Sequence, residues 1–311
     1  MSIAIVSSGS IDGILSTATL VNYFESQGDV AEIVFTQAFT LNQVSLGLIP
    51  TKFVLVGLDV DHNNPQNSKD WLIKSSQEGH ILLGIADEHR GDVWKSFVVA
   101  AGYDYDHLLV HPKSRQDGYL SAGAVLLEEL RLNDWQRKLC QLSTETDQGN
   151  FSGVTSIINE VVKADIRNDN KRVHISRALA KGEEFFCHDK SIKGWIKEAE
   201  HSKQRLTEIV NSAKWDGCIA CADAGDYGNI TGVMMSLYIK GAKFAIVRGL
   251  ARDESKGGMF PVVSVGVPKG SLDITGFLRE NNIEVPIGFE MKASFRPEEE
   301  TRVLELLRTL S

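Results

Sequence analysis

Short apolar runs and amphipathic stretches alternate along the first half of the chain. The run at residues 3–6 leads into a small polar loop and then a helical pattern, in which Ile14, Ala18 and Val21 share one face. The same alternation continues, with strands predicted at 30–36, 53–60, 80–86 and 107–110 and helices at 65–77 and 93–101. Apolar strands separated by helices are typical of a parallel sheet covered on both faces. The first half is therefore predicted to be an α/β domain.

The pattern changes after residue 120. Residues 120–162 predict helices, and residues 173–215 form a charged helical stretch with few strand-forming residues. Further strands are then predicted at 217–222, 243–247 and 260–267, and helices at 230–239, 272–280 and 298–310. The expected fold class is α/β, with a parallel-sheet domain over 1–170, a helical connector over 171–215 and a smaller α/β domain over 216–311. We expect the ligand in the cleft between the two domains.

Composition narrows the class of protein. Hydrophobic residues make up 42% of the 311 residues, which is typical of a soluble globular protein, and the net charge is −8. This charge argues against a broad electrostatic grip on duplex nucleic acid, because phosphates attract basic surfaces. The first apolar run is too short for a signal peptide or a membrane span. Since four cysteines indicate a reducing compartment more than a disulfide framework, we expect a cytoplasmic protein without membrane contact.

Acidic residues stand where the predicted strands end. Asp12 begins the first helix, Asp59 ends the third strand and Asp87 follows the fourth, with Glu88 beside it. Asp147 ends a helix that can fold back over the same edge of the sheet. Taken alone, each is explained as a surface acid or, as for Asp12, a helix cap. Together they favour a metal site, because carboxylates at one sheet edge repel one another unless a cation joins them.

The order of these acids resembles that in the DHH phosphoesterases, which include RecJ-type exonucleases, short-RNA phosphodiesterases and manganese inorganic pyrophosphatases. The first family motif, three alternate Asp residues followed by Gly, corresponds to Ser8-Gly9-Ser10-Ile11-Asp12-Gly13. The second motif corresponds to Asp59, and the third, Asp-His-His, to Asp87-Glu88-His89. The fourth is similar to Thr146-Asp147-Gln148-Gly149-Asn150-Phe151. This resemblance spans nearly the whole chain.

The resemblance implies a metal centre that has lost part of its ligands. Family members hold two ions, and one of them would rest largely on the positions of Ser8 and Ser10. Hydroxyls replace carboxylates poorly, so we expect that site to be lost. The remaining single ion would be held by four carboxylates: Asp12, Asp59, Glu88 and Asp147. Such a set suits Mn²⁺ or Mg²⁺. By the same resemblance, the catalytic positions are Asp87, which would orient the site, and His89, which would meet the phosphate.

The family's substrate contacts are also incomplete in this chain. The resemblance implies substrate-binding positions at Ser8 and Ser10 in the first domain and at Ser264 and Gly288 in the second. The strand at 264–266 lacks the family's arginine, which is the natural bidentate binder of phosphate, and the loop at 286–295 lacks its histidine.

Two functions from different classes remain open at this point. One is a hydrolase, a metal-dependent phosphoesterase acting on a nucleotide, a short single-stranded oligonucleotide or another phosphate ester. The other is a pseudoenzyme, a RecJ-like scaffold or binding subunit of a nucleic-acid-processing complex with a protein partner, which the replaced acids favour. The loop at 7–12 also resembles the pyrophosphate loop of ATP pyrophosphatases, although that family does not require Asp87 or Asp147.

Overall fold

The structure, a computed structural model, describes residues 1–61, 64–165, 168–252, 259–289 and 291–310. The chain divides into two compact units, Met1–Ala199 and Glu200–Ser311, called here the N-terminal and C-terminal units. The predicted division at residues 170 and 215 stays a prediction. The fold class is α/β, with a parallel sheet in the first unit and a mixed sheet in the second, as expected from the alternating pattern.

A four-stranded parallel sheet organises the N-terminal unit. Its strands are β1 (Ser2–Ser8), β2 (Val30–Thr36), β3 (Lys52–Val56) and β4 (Ile81–Ala86), in the order β2-β1-β3-β4. From β1 the chain goes to β2 on one side and then crosses to β3 on the other. A reversal of this kind opens a crevice at the carboxyl ends of the strands, where ligands bind in open α/β sheets. We call this edge, at Ser8, Val56 and Ala86, the carboxyl edge.

Two strand predictions need correction. β3 is shorter than the predicted 53–60, because Gly57 adopts a left-handed φ of 56° and ends the strand at Val56. Asp59 therefore lies beyond the strand rather than at its end. The predicted strand at 107–110 is wrong: Asp104 caps a 3₁₀ turn at Tyr105–His107, and only Val110 makes an isolated parallel bridge to β4.

Helices cover both faces of this sheet. The helices along the chain up to residue 211 are α1 (Ile11–Ser26), α2 (Pro65–Gln77), α3 (Gly91–Ala100), α4 (Ala122–Glu129), α5 (Asp134–Asp147), α6 (Val154–Ala164), α7 (Asp169–Ala180), α8 (Glu183–His188) and α9 (Lys190–Asn211), and the last residues of α9 belong to the C-terminal unit. Side chains alternate along a strand, so Ile3 and Ile5 of β1 pack with α1 and α4. Ala4 and Val6 point to the opposite face and pack with α2 and α3.

Helix α1 is buried more completely than its single predicted apolar face implies. Ile14 and Ala18 pack in a cluster with α5, α6 and α7, whereas Val21 packs with the sheet. A helix that is apolar on several sides must be enclosed by its neighbours. The start of α1, including Asp12, is consequently held inside the packed interior at the carboxyl edge.

The C-terminal unit contains a six-stranded mixed sheet. Its strands are β5 (Lys214–Asp216), β6 (Ile219–Asp223), β7 (Phe244–Arg252), β8 (Met259–Gly266), β9 (Ile287–Phe289) and β10 (Lys292–Phe295), in the order β5-β6-β7-β8-β10-β9. The helices of this unit are α10 (Ile230–Ile239), α11 (Ile274–Glu280) and α12 (Glu300–Arg308). The predicted loop at 286–295 is wrong, because it contains β9 and β10. There Ala293 and Phe295 alternate into the core, as strand residues do.

None of the helices in the described part of the chain combines the length and the apolar composition that a membrane span requires. The cytoplasmic location stays a prediction.

Candidate metal centre

The loop after β1 is closed by its own serine hydroxyls. Ser8 Oγ and Ser10 Oγ lie 2.7 Å apart, and Ser10 Oγ also accepts a hydrogen bond from the Gly13 N–H at 3.0 Å. Ser10 is therefore the residue that caps α1, and the alternative of Asp12 as the cap is wrong. The turn after β3 packs closely here, since a Cβ at Gly57 would lie 3.1 Å from Ser8 Oγ.

Asp12 is buried behind this loop. Its Oδ1 accepts hydrogen bonds from the hydroxyls of Ser143 and Ser16, and its Oδ2 accepts one from the Ala122 N–H at 3.4 Å. Burial raises the pKa of Asp12 to about 6; the hydrogen bond from Ser143 opposes this rise and the negative charge of Asp147 adds to it. Both carboxylate oxygens of Asp12 thus already have donors within the protein.

The turn after β4 pairs a buried acid with a histidine. Asp87 is fully buried, its Oδ1 lies 3.1 Å from His89 Nδ1, and its Oδ2 accepts a hydrogen bond from the His89 N–H at 3.2 Å. Burial raises the pKa of Asp87, while the hydrogen bond to Asp87 raises the pKa of His89 to about 9. His89 in this arrangement is accordingly protonated at neutral pH.

Asp59, Asp87 and His89 form a group of metal-ligand type. Each offers one ligand atom, and the three atoms lie within 4.8 Å of one another. Asp59 Oδ1 also accepts a hydrogen bond from the Val60 N–H at 2.6 Å and lies 3.8 Å from Arg90 Nε. Two carboxylates and an imidazole suit divalent first-row metals, although His89 would have to lose its proton to coordinate one. We call these residues the Asp59 group.

Glu88, in the same turn, faces other partners. Its Oε1 accepts a hydrogen bond from Arg115 Nη2 at 3.0 Å and lies 3.3 Å from His89 Nδ1. Its Oε2 is buried and has no hydrogen-bond partner in the part of the chain that the structure describes. Burial, followed by the charges of Asp87 and Asp12, raises the pKa of Glu88 to about 7. A buried oxygen without a donor costs free energy, so this atom is a place for a proton or a cation.

Asp147 connects to Glu88 through a residue that the sequence analysis did not single out. Asp147 is the last residue of α5, and its Oδ2 lies 2.5 Å from Arg115 Nη2. Arg115 begins a 3₁₀ turn at Arg115–Asp117 in the irregular segment between α3 and α4. Its sequence signal was only that of a basic residue in a polar loop.

The four carboxylates that the sequence predicts as ligands of one ion thus contact different partners in the structure. Asp59 lies with Asp87 and His89, Asp12 is hydrogen-bonded to serines, and Glu88 and Asp147 share Arg115. Their joint role as ligands of one ion stays a prediction, as do the catalytic roles of Asp87 and His89.

No family model and no curated protein matches the sequence of this chain. Among solved structures, the pGpG-specific phosphodiesterase PggH from Vibrio cholerae is similar over 99% of this chain and 98% of its own, with a TM-score of 0.57 and 12% identity. RecJ from Thermus thermophilus in complex with Mn²⁺ is similar over 94% of this chain and 49% of its own, with a TM-score of 0.51 and 11% identity. The chain has a DHH/RecJ-like fold. At these identities the similarity shows the fold alone, and it confirms the fold that the motif order implied.

The two predicted substrate-binding positions of the C-terminal unit, Ser264 and Gly288, lie on strands of its sheet. In the C-terminal unit, Ser264 is buried and its Oγ lies 2.8 Å from Ser294 Oγ. Gly288 lies on β9, opposite Ala293 of β10. Substrate binding by Ser8, Ser10, Ser264 and Gly288 stays a prediction.

Proposed function

We propose that this chain is a divergent DHH-type phosphoesterase-like protein that binds one divalent cation at Asp59, Asp87 and His89. With the ion it would bind a nucleotide, a short single-stranded oligonucleotide or another phosphate ester. The observation that carries the proposal is the approach of the three ligand atoms to within 4.8 Å at the carboxyl edge. Two solved structures of similar fold agree with it, since one is named a phosphodiesterase and the other contains Mn²⁺.

The residues of the Asp59 group give this proposal its chemistry. When bound, a divalent ion would offset the carboxylate charges and polarise a phosphoryl oxygen. Asp87 holds the His89 ring through Nδ1 and keeps it positively charged. A charged imidazole suits contact with a phosphate, whereas a metal ligand must be neutral. His89 is therefore the residue whose role, ligand or phosphate contact, depends on its proton.

The serines of the first loop favour a second candidate function. Ser8 and Ser10 are hydrogen-bonded to each other and carry no negative charge, so this loop supplies no carboxylates for a second ion. Two-metal sites stabilise both the attacking and the leaving oxygen, and one ion supplies only part of that clamp. The alternative is a RecJ-like binding subunit that holds a phosphate ligand without hydrolysing it and assembles with a protein partner.

Counting Mn²⁺ ions on the full chain tests the metal site. We would strip the protein with EDTA and titrate Mn²⁺ into the wild type, the Asp59→Asn variant and a control, Asp92→Asn. Asp92 is an exposed acid on α3 outside the Asp59 group. We expect saturable binding of one ion by the wild type and the control, and binding weaker by about tenfold or more in Asp59→Asn. Absence of saturable binding by the wild type, or unchanged binding by Asp59→Asn, would overturn the proposed site.

Adding the dinucleotide pGpG, or a short single-stranded oligonucleotide, to the Mn²⁺-loaded protein then separates the two functions. Release of a mononucleotide that Asp59→Asn fails to produce supports the phosphoesterase. Binding without release supports the non-catalytic subunit.

A further inference from the structure

An arginine lies between two carboxylates of the N-terminal unit. Arg115 Nη2 is 3.0 Å from Glu88 Oε1 and 2.5 Å from Asp147 Oδ2. The Glu88 side chain is 1% exposed and that of Asp147 is 28% exposed. Hydrogen bonds between ionised groups at such distances are the strong ones. The guanidinium therefore ties the turn after β4 to the end of α5.

The single positive charge of Arg115 does not neutralise all the carboxylates near it. Glu88 and Asp147 contact the same arginine nitrogen, and Asp12 repels both of them, since the charge of Asp147 contributes to the raised pKa of Asp12 and the charge of Asp12 to that of Glu88. We call Asp12, Glu88 and Asp147 the acidic pocket. Independently, Glu88 Oε2 is buried without a hydrogen-bond donor among the described residues. Two cationic side chains thus contact the pocket, Arg115 and His89, whose Nδ1 lies 3.3 Å from Glu88 Oε1, and Glu88 Oε2 is an oxygen still suited to receive positive charge.

We propose that Arg115 is the cation that bridges Glu88 and Asp147 in the acidic pocket and that its guanidinium keeps a divalent ion out of the pocket. The same nitrogen bonds both acids, so an ion could coordinate Glu88 Oε1 and Asp147 Oδ2 only after the Arg115 side chain had moved away. A guanidinium supplies positive charge to these carboxylates as a metal would, but it is a hydrogen-bond donor without coordination positions and cannot coordinate a water molecule and lower its pKa. The pocket is therefore occupied electrostatically and unavailable for metal chemistry.

Replacing Arg115 should unmask an ion site. We expect EDTA-stripped Arg115→Gln to bind one more Mn²⁺ per chain than the wild type, as counted from the free-Mn²⁺ electron paramagnetic resonance signal. Arg115→Lys, which keeps the charge, should bind the wild-type number. The matched control is Arg205→Gln, because Arg205 is an exposed arginine paired with an aspartate, Asp226, in the C-terminal unit. An unchanged count in Arg115→Gln, or an ion gained by Arg115→Lys, would overturn the proposal.

A second change locates the gained ion. In Arg115→Gln combined with Glu88→Gln the additional ion should be lost, and its persistence would show that it lies elsewhere and overturn the proposal. Removal of Arg115 leaves Glu88 and Asp147 without their counter-charge, so the variant is also refolded with and without Mn²⁺. If Arg115→Gln folds only with Mn²⁺, the ion has replaced the guanidinium; failure to fold even with saturating Mn²⁺ would refute that replacement.

The additional ion expected in Arg115→Gln does not depend on metal binding at the Asp59 group, so the two proposals can fail separately. If the wild type binds no ion and Arg115→Gln binds one, the proposed function fails while the role of Arg115 stands. If the wild type and Arg115→Gln bind one ion each, the proposed function stands and the role of Arg115 fails.

Discussion

Replacing Asp12 by Asn should stabilise the protein at neutral pH and change its stability much less in acid. Asp12 is 8% exposed, and burial raises its pKa from the ordinary 3.8 to about 6. An acid with a higher pKa in the folded state binds its proton more tightly there than in the unfolded chain. The folded state is therefore progressively destabilised as the pH rises from 3.8 through 6. Asparagine does not ionise, so the variant escapes this loss. Its Oδ1 can still accept from Ser143 and Ser16, whereas its Nδ2 cannot accept from the Ala122 N–H as Oδ2 does, a cost that is the same at every pH.

The size of the effect follows from the pKa. A rise from 3.8 to about 6 corresponds to about 3 kcal/mol of unfolding free energy once Asp12 is fully ionised. About 1 kcal/mol of this is already lost at about pH 4.5, so the advantage of Asp12→Asn should grow by about 2 kcal/mol between about pH 4.5 and about pH 7.5. The charge of Asp12 also raises the pKa of Glu88. Removing that charge lets Glu88 ionise at a lower cost, which adds to the stabilisation of the variant at neutral pH.

Urea unfolding of the EDTA-treated protein at these two pH values measures the difference. The control is Asp70→Asn, the same change at an exposed carboxylate on α2, which should show no comparable growth of its difference from the wild type with pH. A difference between Asp12→Asn and the wild type that is the same at both pH values would refute the reasoning. In that case Asp12 would act through its hydrogen bonds and not through its charge.

Two further predictions concern the same edge of the sheet. The pKa of His89 rises from 6.5 to about 9 through its bond to Asp87, so its contribution to stability is complete below 6.5 and is lost as the pH rises through 9. In urea unfolding with EDTA, the free energy of unfolding of the wild type should exceed that of His89→Ala by about 2 kcal/mol at about pH 6, after an allowance for the partial exposure of His89. At about pH 10 the two values should differ little. An equal difference at both pH values would contradict this. Gly13→Ala should destabilise by about 2 kcal/mol or more, because a Cβ there would lie 2.3 Å from the carbonyl oxygen of Ser8. Its control is Gly194→Ala in α9, where nothing lies within 4 Å of the added Cβ and the higher helix propensity of alanine should give up to about 1 kcal/mol of stabilisation in the same assay. If Gly13→Ala and Gly194→Ala were equally stable, the clash between the added Cβ and the Ser8 carbonyl oxygen would not be the cause of destabilisation.

The elements with clear boundary signals could be predicted from the sequence. The predicted strand at 30–36 and the helices at 65–77 and 230–239 coincide with β2, α2 and α10. Proline at the first position of α2 and an asparagine cap before α10 mark where those helices begin.

The prediction of β3 failed for a physical reason. Leu58 and Val60 are apolar and fully buried, so they extend the hydrophobic pattern past the end of the strand. Gly57 has already turned the backbone into the left-handed region. Burial of a side chain and membership of a hydrogen-bonded ladder are different properties, and the hydrophobic pattern records only the first.

The candidate site was predictable to the extent that it lies at strand ends. Asp87 and His89 follow β4 directly, and parallel strands bring such residues to one edge with the turn after β3. Arg115 could not have been found in this way. It belongs to a segment without periodicity, and tertiary packing alone places its guanidinium between Glu88 and Asp147.

Cationic groups of the chain itself offset part of the negative charge at the carboxyl edge. Asp87 lies against a protonated His89, and Arg115 serves Glu88 together with Asp147. Any ion must therefore compete with an internal partner. At the Asp59 group an ion would compete with the proton of His89, which is lost as the pH rises, and with Arg90, whose Nε lies 3.8 Å from Asp59 Oδ1. In the acidic pocket the competitor is Arg115, which contacts both Glu88 and Asp147. Its guanidinium stays charged over the whole pH range in which the protein is folded, so an ion could bind only by displacing it. If both proposals hold, this difference accounts for a chain that keeps one ion site while Arg115 closes another. Such an arrangement suits binding of a phosphate ligand better than two-metal hydrolysis.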